Sequence, residues 1–205
     1  MRLLYGSQNF GYELANSDED WLEFVYPTWK QLIDGNMTNK ENKNEDGSVT
    51  KVKDIRLIPK MIKKANFNDL QFLYSQVRVN CDDLNWFFEN RDKLVRYNMW
   101  QLYSSNVGYI QAQLRLNTTK SVIRAYAFTV YLIQALQTKE FVLQHKFFGH
   151  LRQNLTEKEK EIVKNLILAK LPSLENEYVK YKNYVDVKTE AEMYEVIQAL
   201  LTNRL

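Results

Sequence analysis

Residues 1–80 and 81–205 carry different patterns of apolar and polar positions. In the first part the runs are short and punctuated. Residues 2–5 (RLLY) read as a strand ending at Gly6, and residues 21–26, aromatic and aliphatic up to Pro27, read as a second. Residues 28–33 predict a short helix closed by Asp34-Gly35. Residues 36–48 are polar and free of aromatics, which predicts a loop or hairpin tip with Asp46-Gly47 as its turn. Residues 49–55 alternate as a third strand, and residues 59–64 follow as a basic amphipathic helix.

From Asp82 onward the strand signals fade. A helical pattern begins at residues 83–88, and longer helices are predicted at about 98–115, 119–138, 157–170, 173–183 and 189–203. Thr156 and Thr189 each precede a glutamate by three residues (Glu159, Glu192), which predicts two capping boxes, and Pro172-Ser173 predicts a break with a new cap. After Thr156, the side chains of Ile162, Val163, Leu166 and Ile167 share one helix face, the expected core side. The expected fold is α+β: a small mixed-sheet core over residues 1–80, then an all-helical domain over residues 81–205.

Composition places this pattern in an ordinary globular protein, with 45% hydrophobic and 26% charged residues. No apolar run approaches the ~20 residues of a membrane helix, and the N-terminus lacks a secretory pattern. The one cysteine, Cys81, excludes an internal disulfide and suits the reducing cytoplasm as a buried small hydrophobe. His145 and His150, five apart in HKFFGH, do not have the spacing of a zinc site.

Charge changes the picture more by distribution than by its net value of +3. Residues 93–139 contain no acid but include Arg115, Lys120 and Arg124 among interleaved aromatics such as Tyr103 and Tyr126. Residues 51–64 carry Lys51, Lys53, Arg56, Lys60, Lys63 and Lys64 around a single acid, Asp54. Basic groups pair with phosphates and rings stack on bases, so the two segments predict a nucleic-acid surface, with Lys53, Arg56, Lys60, Lys63, Arg115, Lys120 and Arg124 as its contacts.

The stretch YGSQNFGYELANSDED concentrates the candidate chemistry. A strand ends at Gly6-Ser7, where a glycine lets backbone N–H groups approach an anion. If a second strand starts at Ser17, alternation sends Asp18 and Asp20 to one face and Glu19 to the other. Two carboxylates on one face form half of a site for a hard divalent cation, and Asp54 at the end of the third strand is the expected third ligand. The physical reading is a metal-bound triphosphate between a glycine turn and an acidic trio.

This arrangement resembles the nucleotidyltransferase superfamily that includes DNA polymerase β. Tyr5-Gly6-Ser7-Gln8-Asn9-Phe10-Gly11 and Asn16-Ser17-Asp18-Glu19-Asp20 are similar to a bacterial and phage branch with Gly-Ser-Gln-Asn-aromatic-Gly and Ser-Asp-x-Asp motifs. The resemblance continues through Lys53-Asp54-Ile55-Arg56 and more weakly through residues 65–73. It implies an enzyme using Mg2+ or Mn2+ and a nucleoside triphosphate on RNA, tRNA included. Asp18, Asp20 and Asp54 would hold metal and carry catalysis, while Gly6, Ser7, Gln8 and Ser17 would hold the nucleotide. The chain departs from the branch at Trp21-Leu22, at Gln71 in place of Glu, and in residues 123–136, where Arg124 stands without the usual Lys and His. These departures keep a second expectation open: an idle fold that binds RNA and a protein partner, as a phage counter-defence factor would.

Overall fold

The computed structural model describes residues 1–14, 17–138, 140–143 and 146–204. Along the chain lie β1 (Arg2–Tyr5), α1 (Ser7–Phe10), β2 (Asp20–Val25), α2 (Trp29–Ile33), β3 (Asn39–Lys43), β4 (Val49–Asp54), α3 (Ile58–Lys64), α4 (Phe67–Leu70) and β5 (Arg78–Val79). Helices α5 (Asn85–Glu89), α6 (Arg91–Arg96), α7 (Met99–Leu116), α8 (Thr119–Gln137), α9 (Lys146–Asn154), α10 (Glu157–Tyr178) and α11 (Val187–Thr202) follow. The protein is α+β, with the sheet in its N-terminal part and helices through the rest.

The sheet has the order β3-β4-β2-β1-β5, with β2 parallel to β4 and the other pairs antiparallel. Register partners share a face, so Leu3, Tyr5, Asp20, Leu22 and Phe24 lie on one side. On that side Leu3, Leu22 and Phe24 enter the core against the helices. Strand β3 gave no sequence signal because all five of its residues are exposed; a strand with neither face buried needs no apolar alternation. The Asp46-Gly47 turn joins it to β4 as expected, with Gly47 at φ +87°.

One buried cluster joins both parts of the chain, from Leu3 to Ile197. Its centre is aromatic. Phe67 meets Phe128 and Tyr131 edge-on at 5.3 Å, and Phe10 lies 5.5 Å from Phe128. The Tyr131 hydroxyl donates to the carbonyl of Leu143 (2.6 Å) and reaches that of Phe10 (3.3 Å). Helices α7 and α8 begin where predicted, capped by Asn98 and Thr118, and the Thr156–Glu159 capping box forms.

Three expectations in the helical part are corrected. Helix α10 runs unbroken through Pro172. Ile167, Leu171, Leu174 and Tyr178 bury one stripe on both sides of the proline, and this packing outweighs the one lost backbone bond. Of the apolar face read from the sequence, Val163 and Ile167 pack on the core as expected, but Ile162 and Leu166 are left at 51% and 60% exposure, so the face is only partly buried. Helix α11 starts earlier than Thr189. Asp186 is its cap, accepting from the Thr189 N–H and hydroxyl, while Glu192 pairs instead with Lys93.

Asn106 on α7 binds the helices to the sheet side. Ala65 ends α3 in the left-handed region (φ +51°), unusual for a residue with a side chain. The fully buried Asn106 donates to the carbonyls of Ala65 (2.8 Å) and Leu102 (2.7 Å) and accepts from the Phe67 N–H (3.0 Å). We expect Asn106→Ala to cost about 2–4 kcal/mol, because it strands buried partners and opens a cavity. A shift in the urea midpoint checks this, with the slope unchanged.

Candidate functional site

Gly6 has φ +76° and follows Tyr5, the register partner of Asp20. A Cβ at Gly6 would sit 2.5 Å from Asp20 Oδ2, so only glycine allows the carboxylate to lie against the turn. The turn is buttressed from below: Gly6 N donates to Gln71 Oε1 (2.8 Å), Asn9 Nδ2 to the Gln71 carbonyl (2.7 Å), and Tyr5 hydroxyl to the Asn68 carbonyl. Gln71, where the resembled branch has Glu, is therefore a neutral support buried beneath the turn. Ser7 opens α1, with the half-buried Gln8 beside it.

Asp20 Oδ1 accepts from Val49 N (3.1 Å), which fixes its carboxylate at the start of β4. Asp18 lies exposed before β2, its Oδ2 3.8 Å from where a Gly47 Cβ would stand. Ser17 Oγ accepts from Leu14 N (2.8 Å). Ser7, Ser17, Asp18 and Asp20 share a cavity of about 300 Å³ with Lys120 and Arg152. Lys120 is in the first turn of α8, Arg124 one turn further on the same face, and Arg152 on α9. Arg152 donates to the Tyr12 carbonyl (3.0 Å), and the Arg124 guanidinium lies 5.7 Å from the centre of the Tyr12 ring.

The charges in this cleft are not cancelled within the protein. Among the described residues, none of Asp18, Asp20, Lys120, Arg124 and Arg152 forms an ion pair. Arg124 Nε is buried with no hydrogen-bond partner among them. Burial, and then the charges of Arg124 and Arg152, push the Lys120 ammonium below its usual pKa; Asp20 and Asp18 oppose this. Burial pushes the Tyr12 phenol up, so it stays neutral beside them.

Asp54 does not join the cleft. It pairs in register with Val25, five residues along the parallel ladder from the level of Asp20, about 16 Å away and on the opposite face. It is fully buried and accepts from Arg56 N (2.9 Å), Nε (2.9 Å) and Nη2 (2.7 Å), capping the turn after β4. The expected trio is thus a pair. On the face of β4 that shares Asp20, the chain presents Val49 and Lys51, whose ammonium lies 4.9 Å from the Tyr5 ring centre. Among the described residues no group of three or more His, Cys, Asp or Glu side chains is placed to hold a metal ion.

The basic segment 51–64 is largely consumed by acids from elsewhere in the chain. Lys53 and Lys64 flank Asp69 (3.9 and 3.6 Å), Lys63 pairs with Glu190, and Arg56 with Asp54. Lys60 and Arg115 are exposed without an ion pair among the described residues. Tyr103 is buried and stacked on Tyr178 (5.0 Å), so it offers no face to a base; Tyr126 is half-buried against Phe148. His150 is exposed, and His145 lies outside the described residues.

Arg152 was not anticipated. Its signal was Gly149 inside a helix: a Cβ there would meet the Glu13 carbonyl at 3.1 Å, and Gly149 N donates to the Gly11 carbonyl (3.0 Å). That glycine lets α9 close on the loop after α1 and carry Arg152 to the cleft. No protein-family model, curated protein or solved structure matches this chain.

Lys120 is held where its charge is opposed by two guanidiniums. Its depressed folded-state pKa means the folded protein binds fewer protons than the unfolded chain just below the ordinary lysine range. Stability therefore rises with pH as that window is crossed. We expect Lys120→Met to raise the melting temperature at pH 8 and to flatten this alkaline rise. Thermal melts across pH 8–10.5 read both effects.

Proposed function

We propose that the cleft binds the polyphosphate of a nucleoside triphosphate, and that the chain is a nucleotidyltransferase-type protein acting on RNA. The observation that carries this reading is the uncancelled charge: two carboxylates, Asp18 and Asp20, and two cations, Lys120 and Arg152, line one hollow beside a glycine turn. A triphosphate with a divalent cation supplies the complement to both signs.

Asp18 and Asp20 fit Mg2+ or Mn2+ as oxygen ligands that pair with no cation among the described residues, and when bound the ion would offset phosphate charge and polarise the reacting phosphoryl group. Lys120 and Arg152, with Arg124 behind them, would grip the phosphate oxygens. The Gly6-Ser7 turn would bring its backbone and the Ser7 hydroxyl to the same oxygens. The N-terminal end of α8 adds positive potential, with no acid in its first turn.

A second reading is favoured by β4. Where a carboxylate facing Asp20 would activate an acceptor hydroxyl, the strand has Val49 and Lys51. An idle fold that binds nucleotide or RNA without turnover accounts for that substitution. Purified protein given radiolabelled NTP, RNA and Mg2+ separates the two: label in RNA supports transfer, and binding without label supports the idle fold.

The transfer reading requires metal-dependent nucleotide binding. We expect Asp20→Asn to weaken NTP binding about tenfold or more in Mg2+, with the melting curve kept, and the difference to vanish in EDTA. Titration calorimetry measures this. Equal affinities in Mg2+ would remove the carboxylates from the site.

A further inference from the structure

A second hollow, of about 390 Å³, opens beside the β5 edge of the sheet and shares no residue with the cleft. Its walls include Tyr74, Ser75, Arg78, Arg91, Phe141 and Leu143. Two guanidiniums face it, and each is laid against a ring. Arg78 Cζ lies 3.8 Å from the centre of Phe88, and Arg91 Cζ lies 5.4 Å from that of Tyr74. Arg78 Nε donates to the Ser75 carbonyl (2.7 Å), which leaves its terminal nitrogens for another acceptor.

Neither arginine forms an ion pair among the described residues. The acid beside this wall, Asp92, is engaged elsewhere: it accepts from the Tyr74 hydroxyl (2.8 Å) and the Phe141 N–H (3.1 Å) and stands 3.9 Å from Arg96. Like charges brought together without a counter-charge repel, and the repulsion is felt here: burial and then the Arg91 charge lower the Arg78 pKa. A guanidinium held flat by a ring keeps its donor fork in a fixed plane, and that fork matches the oxygens of a phosphate two at a time.

We propose that this hollow is a phosphate-binding site, with Arg78 and Arg91 as its ligands. The group it takes is a phosphate ester or free phosphate, and its use lies outside the triphosphate cleft. The size suits one phosphate with an attached sugar rather than a duplex surface.

The test titrates full-length protein with inorganic phosphate and, separately, with a 5′-phosphorylated oligoribonucleotide at several salt concentrations. Arg91→Ala is the first variant, because Arg91 is exposed and makes no hydrogen bond among the described residues. Arg78→Lys is the second; it keeps the charge and removes the fork. We expect both to weaken phosphate binding roughly tenfold while NTP binding in the cleft is unchanged. For the oligonucleotide, Arg91→Ala should also reduce the salt slope by about one. Loss for both ligands means that the free anion suffices, and loss for the oligonucleotide alone means that the site reads a strand phosphate. Unchanged binding of both ligands in both variants, or no binding of either by the wild-type protein, overturns the proposal.

Discussion

The Tyr131 hydroxyl is buried without access to water, and its position decides where the helices stand relative to the sheet. A phenol in that position must find a protein acceptor; it donates to the Leu143 carbonyl and also reaches that of Phe10, far away in sequence. Phe10 closes the short helix that begins at Ser7. Tyr131 also shares a stripe of α8 with Phe128, Arg124 and Lys120, since these positions recur every three to four residues. The aromatic end of the stripe is locked to the glycine turn's own helix. The cationic end is thereby set over the same turn, about two to three helical turns away.

The cleft is a consequence of that arrangement and is unfavourable by itself. Lys120 and Arg124 begin a helix whose N-terminal end is already positive, and Arg152 is added from α9. Asp18 and Asp20 lie close enough to be felt at Lys120, yet no ion pair among the described residues forms with them. A protein selected for stability alone would pair these charges or replace them with neutral side chains. Elsewhere it does pair them. Asp54 with Arg56, Asp69 with Lys53 and Lys64, and Glu190 with Lys63 are each resolved internally.

Much of the fold was legible because local signals and tertiary packing agree. Arg2–Tyr5, the short helix after Pro27, the Asp46-Gly47 turn and the Thr156 capping box each depend on a few adjacent residues. The failures occurred where distant packing decides. Pro172, itself exposed, does not break α10 because Leu171 before it and Tyr178 after it anchor the helix in the core, and of the apolar face read around Ile162 only Val163 and Ile167 meet that core. Of the site, Gly6-Ser7 and Asp18/Asp20 were readable from spacing, and the structure gathers them with Lys120. The basic segment misled because its counter-charges come from as far away as Glu190. Arg152 stayed hidden because the meaning of Gly149 depends on a contact with Gly11.

Asp20 and Asp54 show how one residue type takes two fates on adjacent strands. Asp20 opens β2 and Asp54 closes β4, and in sequence both look like candidate ligands. Asp54 is followed two residues later by an arginine, a spacing that lets the guanidinium and the backbone N–H fold back onto one carboxylate. Once that happens, complete burial becomes tolerable, because all the lone pairs that matter are occupied by charge-assisted bonds. Asp20 is followed by Trp21, which turns to the opposite face and stacks on Arg2 (4.2 Å). Its carboxylate receives a single backbone N–H from Val49 and is pressed against a glycine rather than a cation. It therefore stays half-exposed, and its remaining lone pairs face the hollow. An arginine two residues on, Arg56 after Asp54 where Leu22 follows Asp20, thus separates a structural carboxylate from an available one.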